Sequence, residues 1–149
     1  MKKVIAVLLV LVVYAGLALA GETARDGRFI AYDNETVLDT QMNLMWAATD
    51  NGSDINWANA KSYCENYRGG GYTDWRMPTQ YELAGLYDVR KIIENTRLTE
   101  LILVTTGVVW ASETGRSDAA LFLFATGGRN SNLKSYVNGP RALPVRSVE

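Results

Sequence analysis

Apolar side chains recur at helical spacing along one short segment of the chain. Trp57, Ala60, Cys64 and Tyr67 are spaced 3, 4 and 3 positions apart, which places them on one stripe of a helix. Asn56 directly precedes this stripe and is a favourable N-cap residue. The pattern therefore predicts a helix from Trp57 to about Tyr67.

A second helix is marked by its start signal. Thr79 and Glu82 have the spacing of a capping box, and Pro78 just before them discourages an earlier helix. The glycines at 69–71 end the preceding helix, since they reach positive φ angles easily. We expect the second helix to end near Val89 or somewhat later. Its apolar positions recur at helical spacing: Leu83, Leu86 and Tyr87.

Short apolar or β-branched runs between polar turns predict the strands. Segment 21–28 is interpreted as a flexible lead-in, 112–117 as a polar loop and 127–132 as a turn. Segment 90–100 fits either a helix extension or a loop. Two helices followed by hairpin-connected strands predict one α+β domain with a mainly antiparallel sheet. The predicted strands are 29–32, 36–38, 44–47, 101–104, 108–110, 119–125, 135–137 and 143–148.

The N-terminus has the layout of a signal peptide. Lys2 and Lys3 precede an almost wholly apolar run from 4 to 19, which ends in the small-residue pattern Ala-Leu-Ala at 18–20. We expect cleavage after Ala20, export to the periplasm or outside the cell, and no membrane span afterwards. A retained membrane anchor is the competing interpretation, because the run approaches the length of a span. The mature domain is then 21–149.

Net charge and cysteine content limit the ligands and the covalent cross-links expected of the protein. Removing residues 1–20 takes away two lysines and no acid, so the formal net charge changes from −1 to −3. A protein without a strong basic excess is not expected to bind nucleic acids generally. Cys64 is the only cysteine, so no intrachain disulfide can form. Either a small core residue or a partner in an intermolecular bond fits this cysteine.

The chain contains no histidine, which excludes the usual Ser-His-Asp and Cys-His nucleophile pairs and His-bearing zinc sites. No phosphate-binding loop is present either. We therefore expect a protein that is not an enzyme and has no cofactor. Asp50, Asp54 and Asn56 supply oxygens that calcium could use, but turn hydrogen bonds and a helix cap explain them without a metal.

The four tryptophans divide into two groups. Trp46, Trp57 and Trp75 lie in segments interpreted as core, where large rings anchor the packing. Trp110 lies where a strand enters a polar loop, so it is the tryptophan we expect to be available to a ligand.

Charged residues flank Trp75 on both sides. Asp74 and Arg76 are interpreted as internal partners of backbone or side chains, with Glu82 the expected partner of Arg76. The residues assigned to this structural motif are Trp57, Cys64, Asp74, Trp75, Arg76, Pro78, Thr79 and Glu82.

A basic, amide-rich set lies in the C-terminal part. Segment 110–149 carries five basic and three acidic residues. Hairpin loops of this composition often bind ligands on a rigid sheet, although solvated turns have the same composition. The candidate ligand-binding residues are Trp110, Arg116, Arg129, Asn130, Asn132, Lys134 and Arg141.

Several motifs together resemble a known family, the Lcl C-terminal domain family. The DWR-x-P-T-x-x-E-L block is also similar to one in formylglycine-generating and sulfatase-modifying proteins. The resemblance implies a C-type-lectin-like α+β fold, and in a collagen-like adhesin of the family the domain is associated with binding sulfated polysaccharides. The motifs are TVLDTQMNLMW at 36–46, DINWANAKSYC at 54–64, GGYTDWRMPTQYEL at 70–83, VVWASE at 108–113 and LPVRSV at 143–148.

Two departures limit what the resemblance implies. The family commonly ends in Val-Arg-Cys-Val, whose cysteine looks like a partner of the one in the first helix, but Ser147 stands there and leaves Cys64 alone. The net charge of the mature chain also works against polyanion binding. We expect an exported, non-catalytic binding or surface-interaction module, adhesin-like, whose ligand the sequence does not identify and for which a glycan is the candidate. The alternatives are a periplasmic accessory protein that recognises another protein and, third, an enzyme of the sulfatase-modifying type. The sequence does not determine the oligomeric state.

Overall fold

A computed structural model describes residues 20–91 and 98–149 of the protein. Within these residues the chain forms eight strands, two α-helices and a short 3-10 helix. The helices are α1 (Trp57–Asn66) and α2 (Gln80–Leu86), with the 3-10 helix at Gly69–Gly71. The strands are β1 (Glu22–Asp26), β2 (Phe29–Tyr32), β3 (Thr36–Asp39), β4 (Leu44–Ala47), β5 (Val108–Thr114), β6 (Asp118–Leu123), β7 (Gly128–Leu133) and β8 (Val145–Ser147).

The strands form two antiparallel sheets. The larger sheet has the order β1-β2-β3-β4-β8, and its last pairing brings the C-terminal strand back to β4, with Trp46 opposite Val145. The smaller sheet has the order β5-β6-β7. The α+β class and the antiparallel pairing are confirmed, with the strands divided between two sheets.

Strand β6 is buried on both faces and divides the core into two clusters. Ala120 and Phe122 face the larger cluster, where they pack with α2 and the five-stranded sheet. Ala119 and Leu121 face a smaller cluster that includes Cys64 of α1. After its first residue, Asp118, the central strand of the small sheet is therefore apolar, as expected for a strand covered on both sides.

Helix α1 follows its sequence signals closely. The Asn56 side chain accepts a hydrogen bond from the Asn59 backbone N–H at 2.9 Å, which confirms the predicted N-cap. The helix ends at Asn66, one residue earlier than predicted. Gly70 and Gly71 have φ angles of 64° and 79°, which confirms the role predicted for these glycines.

Helix α2 begins with the predicted capping box. The Thr79 hydroxyl accepts from the Glu82 N–H at 3.1 Å, and the Glu82 carboxylate accepts from the Thr79 N–H at 2.8 Å. The helix ends at Leu86, before the predicted Val89. The chain turns there, and the Asp88 carboxylate accepts the Arg90 N–H at 3.0 Å in place of a further helical turn.

The lead-in predicted at 21–28 is wrong in part, because β1 occupies most of it. This strand pairs antiparallel with β2 at the edge of the larger sheet. Its side chains are almost all exposed, so its composition is that of a polar loop although its backbone is that of a strand. Backbone pairing with β2 holds it, and composition carries no signal of that pairing.

The strand predicted at 101–104 does not form. This segment makes a single bridge, between Thr49 and Leu103. Its apolar residues Ile102 and Val104 are nevertheless buried in the larger cluster. The segment is apolar because it fills the core, and its backbone pairing with residues 48–50 is limited to this one bridge.

Three further predictions at the C-terminal end need correction. The predicted turn at 127–132 is mostly β7, a polar edge strand, and the predicted loop at 112–117 begins with the last residues of β5. Segment 135–137, predicted as a strand, is a turn followed by irregular backbone. The final predicted strand at 143–148 is confirmed as the shorter β8.

Two predictions fall on residues outside the described ranges. Positions 1–19 of the predicted signal peptide and positions 92–97 of the ambiguous segment 90–100 lie there. Among the residues that the structure does describe, no helix has the length and apolarity needed to cross a membrane.

Candidate functional site

Trp110 is not the surface residue that its position predicted. Its side chain is fully buried in the smaller cluster, and its indole N–H donates to the Ile55 carbonyl at 2.8 Å. Helix α1 covers this side of β5, so the ring is enclosed although the strand continues into exposed residues. Trp110 is a core residue, and its assignment to the ligand-binding set is wrong.

Trp57, which was predicted to lie in the core, is only half-buried. It is the first residue of α1, and its backbone N–H donates to the Lys134 carbonyl at 3.1 Å. Its indole N–H donates to the Ala111 carbonyl at 2.9 Å. These bonds fix the ring against β5 and the end of β7 while part of it stays accessible. The signal available in the sequence was its place in the first helical turn, at the margin of the apolar stripe.

A groove of about 370 Å³ opens beside the Trp57 ring. It lies between α1, the segment that leads into α2, and β5. Its lining combines one aromatic ring, one thioether and several polar groups, a mixture typical of small-ligand sites. The lining residues are Trp57, Lys61, Glu65, Arg76, Met77, Thr79 and Ser112.

The charged side chains around the groove are paired. Lys61 forms an ion pair with Glu65 one turn along α1, and Arg76 forms one with Glu82. Burial raises the pKa of Glu82, but the hydrogen bonds from Arg76 and the Thr79 N–H outweigh it and hold that pKa below its ordinary value. The hydrogen bond to Glu82 in turn raises the pKa of Arg76. Glu82 is therefore an ionised structural anchor at neutral pH.

Lys134 is the member of the predicted ligand-binding set that reaches Trp57. Its ammonium group lies 5.3 Å from the centre of the ring and donates to the Gly115 carbonyl at 3.0 Å. This contact is a cation–π interaction with the Trp57 ring, although Lys134 is not among the residues that line the groove. The backbone of Arg116 also lies near, since its carbonyl is 3.5 Å from the same ammonium nitrogen.

The other members of the set are dispersed. Arg129, Asn130 and Asn132 lie on β7, where strand alternation places Arg129 on one face and the two asparagines on the other. The guanidinium of Arg141 is engaged by Asp54 and by the Thr105 hydroxyl, and the side chain is only 11% exposed. The predicted set is therefore not one site.

The residues assigned to the structural motif around Trp75 make internal contacts. Trp75 is buried, and its indole N–H donates to the Gly69 carbonyl at 3.1 Å. Asp74 pairs with Arg146, at 2.7 Å to Nε and 3.1 Å to Nη2, and these bonds lower the pKa of Asp74. The Pro78 carbonyl accepts the Ser112 N–H at 2.8 Å, which ties the entry to α2 to β5.

Cys64 is a buried free thiol in the smaller cluster, as the packing interpretation predicts. Desolvation raises its pKa to about 12. Ser147, which stands where the family commonly has a cysteine, is exposed at the end of β8, and its hydroxyl is 3.4 Å from Arg76. A bond between two chains through Cys64 would require the core around α1 to open.

The oxygens considered for calcium have internal roles. The buried Asp50 carboxylate accepts the Thr105 N–H at 2.6 Å, the Thr105 hydroxyl at 2.9 Å and the Gly52 N–H at 2.8 Å. Asp54 pairs with Arg141, and Asn56 caps α1. Within residues 20–91 and 98–149, no cluster of acidic, cysteine or histidine side chains is placed to hold a metal ion.

A larger cavity of about 520 Å³ lies between the β1–β2 turn and the segment that follows α2. Its charged residues are engaged with one another: Asp26 binds Lys91 and the Thr99 hydroxyl, and Asp88 binds Arg90. It lacks an accessible, hydrogen-bonded tryptophan of the kind found beside the smaller groove. The groove at Trp57 is therefore the better candidate for a ligand site.

Comparison with known proteins agrees with the motifs. The sequence profile described as the Lcl C-terminal domain matches residues 35–146. This range includes β3, both helices and the groove, and it reaches Arg146 in β8. No significant match is found among curated proteins.

Proposed function

Because the chain belongs to the Lcl C-terminal domain family, we propose that it is an exported, non-catalytic binding module that holds a carbohydrate in the groove beside Trp57. The observation that carries this proposal is the fixed, partly buried Trp57 ring at the wall of a groove lined by both apolar and polar side chains. The apolar face of a sugar ring stacks on such a ring, and its hydroxyls need polar groups around the rim.

The fixed position of Trp57 supports a binding role. Its backbone N–H and its indole N–H are both bonded to carbonyls of other elements, Lys134 and Ala111. With its backbone anchored and its indole hydrogen-bonded, the ring loses little conformational freedom when a ligand stacks on it, so less of the binding energy is lost to ordering. Thr79 and Ser112 supply hydroxyl groups at the rim.

The charge pattern supports recognition of a neutral sugar through stacking and hydrogen bonds. Lys61 and Arg76 are each neutralised by a glutamate, which leaves Lys134 as the cation in contact with the ring. A polyanion site needs several unopposed cations on one surface. We therefore expect affinity in this groove to depend only weakly on salt.

The non-catalytic part of the proposal has its own support. Glu65, the carboxylate that lines the groove, and Glu82, the partner of the lining residue Arg76, are both engaged in ion pairs. The lowered pKa of Glu82 makes it a poor proton donor at neutral pH. Neither group is placed as the general acid that glycosidic bond cleavage requires.

Export is proposed from the N-terminal pattern, and one contact is consistent with cleavage after Ala20. The Gly21 nitrogen lies 3.1 Å from the Asp33 carboxylate. Cleavage would turn this amide into an ammonium group beside a carboxylate and strengthen the contact. Mass spectrometry of the protein recovered from the periplasm or medium should give a chain that begins at Gly21, whereas an intact N-terminus in a membrane fraction would favour the anchor.

A glycan array at low and high salt tests the ligand. We expect binding to a group of neutral glycans that persists at high salt and is lost in Trp57→Ala. Tyr81→Ala is the matched control, because Tyr81 is 69% exposed and lies outside the groove lining, so its loss should leave binding unchanged. The thermal unfolding midpoint of each variant establishes that it is folded.

Two results would contradict the proposal. Binding restricted to sulfated glycans, abolished by salt and unaffected by Trp57→Ala, would place the site elsewhere on the surface. A blank array would instead favour the alternative, an accessory protein that recognises another protein.

A further inference from the structure

Strand β7 has an open outer edge. It is the last strand of the small sheet and pairs only with β6 among the described strands. One backbone bond fixes the phase of this pairing: the Lys134 N–H donates to the Ser117 carbonyl at 3.0 Å, one position beyond the opposed pair Asp118 and Leu133.

Antiparallel pairs alternate between those that exchange backbone bonds and those that do not. Because Ser117 and Lys134 are a hydrogen-bonded pair, every second pair along the ladder is one as well. The backbones of Asn130 and Asn132 therefore form hydrogen bonds with β6, opposite Leu121 and Ala119. The N–H and C=O groups of the intervening odd residues of β7 therefore point away from β6, toward solvent.

One end of this edge is already closed. The Leu133 N–H donates to the Asn132 side chain at 2.8 Å, and the Leu133 carbonyl accepts the Tyr136 N–H at 2.9 Å. Arg129 and Ser131 remain, and each presents one N–H and one C=O with no partner among the described residues. The open stretch is therefore a short, defined acceptor for one more strand.

The open stretch is also positively charged. Arg129 is exposed, and its guanidinium pairs with no carboxylate of the described part of the chain. Of the carboxylates on the same sheet, Glu113 of β5 accepts the Gln80 N–H, and Asp118 lies on the neighbouring strand β6, opposite Leu133 at the closed end of the edge. Strand β7 itself contains no acidic residue.

We propose that the edge of β7 from Arg129 to Ser131 binds an extended acidic peptide of a partner protein as an added antiparallel strand. Backbone bonds to these two residues supply the affinity, and an acidic side chain of the peptide opposite Arg129 supplies the selectivity. Leu133 is 57% exposed beside this stretch and gives the peptide an apolar contact at one end.

A second copy of the chain is a poorer occupant. In a two-fold dimer, the two β7 strands would pair through the outward N–H and C=O groups of Arg129 and Ser131. Arg129 of each copy would then lie opposite Ser131 of the other. Both guanidinium groups then lie on one face of the joined sheet, as diagonal neighbours within about 8 Å. Like charges at this distance repel, whereas an acidic peptide neutralises Arg129.

Two synthetic peptides test the proposal on the purified protein. One alternates valine and glutamate, and its matched partner has lysine in place of every glutamate. Fluorescence anisotropy should show the glutamate peptide binding at least about tenfold more tightly, with the preference reduced by salt. The backbone amide resonances of Arg129 and Ser131 should shift most on titration.

Proline variants separate the outer edge from the internal ladder. Ser131→Pro removes an N–H that points to solvent, so it should lower peptide affinity about tenfold or more and leave the thermal midpoint nearly unchanged. Asn130→Pro is the matched control and should destabilise the protein, since it removes a bond to Leu121. Arg129→Gln should remove the preference for the glutamate peptide while the backbone contacts remain. This variant still tests the proposal if Ser131→Pro fails to fold.

Several outcomes would overturn the proposal. These are equal affinity for the two peptides, no binding to the wild-type protein, or full affinity in a folded Ser131→Pro variant. A dimer in sedimentation that Ser131→Pro dissolves would assign the edge to a second copy instead. None of these results depends on Trp57, so they are distinct from failure of the glycan proposal.

Discussion

Arg76 and Glu82 form a two-point ion pair, with 2.9 Å between Nη1 and Oε2 and 2.6 Å between Nη2 and Oε1. The same carboxylate accepts the Thr79 N–H and completes the cap of α2. The backbone of Arg76 also exchanges bonds with Val145 of β8, at 2.9 and 3.0 Å. This one pair therefore joins the start of α2 to the C-terminal strand.

Arg76→Ala should destabilise the protein by about 2 kcal/mol without loss of cooperative unfolding, because it leaves a largely buried carboxylate without its partner. The guanidinium is partly exposed, which keeps the loss below that of a fully buried pair. Urea unfolding of Arg76→Ala, Glu82→Gln and the double variant measures the coupling. Additive effects of the two changes would contradict a direct interaction.

The stability that Glu82 contributes should depend on pH. Its pKa is lowered in the folded protein, so the contribution is fully present above the unfolded value near 4.3 and is lost as pH falls through the folded pKa. The difference in unfolding free energy between wild type and Glu82→Gln should therefore be large at pH 7 and shrink toward pH 3. A difference that stays constant with pH would show that the charge of Glu82 is not responsible.

Trp110→Ala and Trp57→Ala should differ in their cost to stability. Trp110 is fully buried, so its truncation should cost about 3–5 kcal/mol. Trp57 is half-buried, and its truncation should cost about 1–2 kcal/mol while the protein stays folded. Chemical denaturation with far-UV circular dichroism measures both. Equal costs would mean that the Trp57 ring is as enclosed as that of Trp110.

Cys64 should not react with a thiol reagent such as DTNB in the native protein. The side chain is buried and its pKa of about 12 keeps the thiol protonated at pH 8, so reaction should follow unfolding. Ser147→Cys in a Cys64→Ala background is the matched control, because this exposed thiol should react at once. Rapid reaction of wild-type Cys64 would contradict its burial.

Asp50→Asn should destabilise the protein by about 1–3 kcal/mol, because the carboxylate accepts several short bonds in a buried position. Asp54→Asn should cost less than about 1 kcal/mol, since Asp54 is 52% exposed. Calorimetric titration of calcium into the wild-type protein should give no binding heat. Saturable heat that Asp50→Asn abolishes would revive a metal site.

Features fixed by near neighbours were predictable from the sequence. The cap at Asn56, the capping box of Thr79 and Glu82, and the positive φ of Gly70 each depend on contacts within a few residues. Local hydrogen bonds and steric limits decide such features, so a short window of sequence contains the whole cause. The Arg76–Glu82 pair belongs to the same class because six positions separate its members.

Features that depend on distant pairing were not predictable. Strand β7 has the composition of a turn, and its extended backbone comes from pairing with β6. The pairing of Asp74 with Arg146, across 72 positions, has no local signal. For the candidate site, the sequence supplied Lys134. It placed Trp57 in the core and Trp110 within reach of a ligand, whereas Trp110 is fully buried and Trp57 only partly.

The sequence by itself determined the helix starts, most of the apolar strands and the family, because periodicity, caps and motifs are properties of consecutive residues. Only the tertiary structure decided which tryptophan meets solvent and which edge stays open. Helix α1 lies across β5 and covers Trp110, while β7 is left as the last strand of its sheet. Exposure is a property of what packs above a residue, and residues far away in the chain supply that cover.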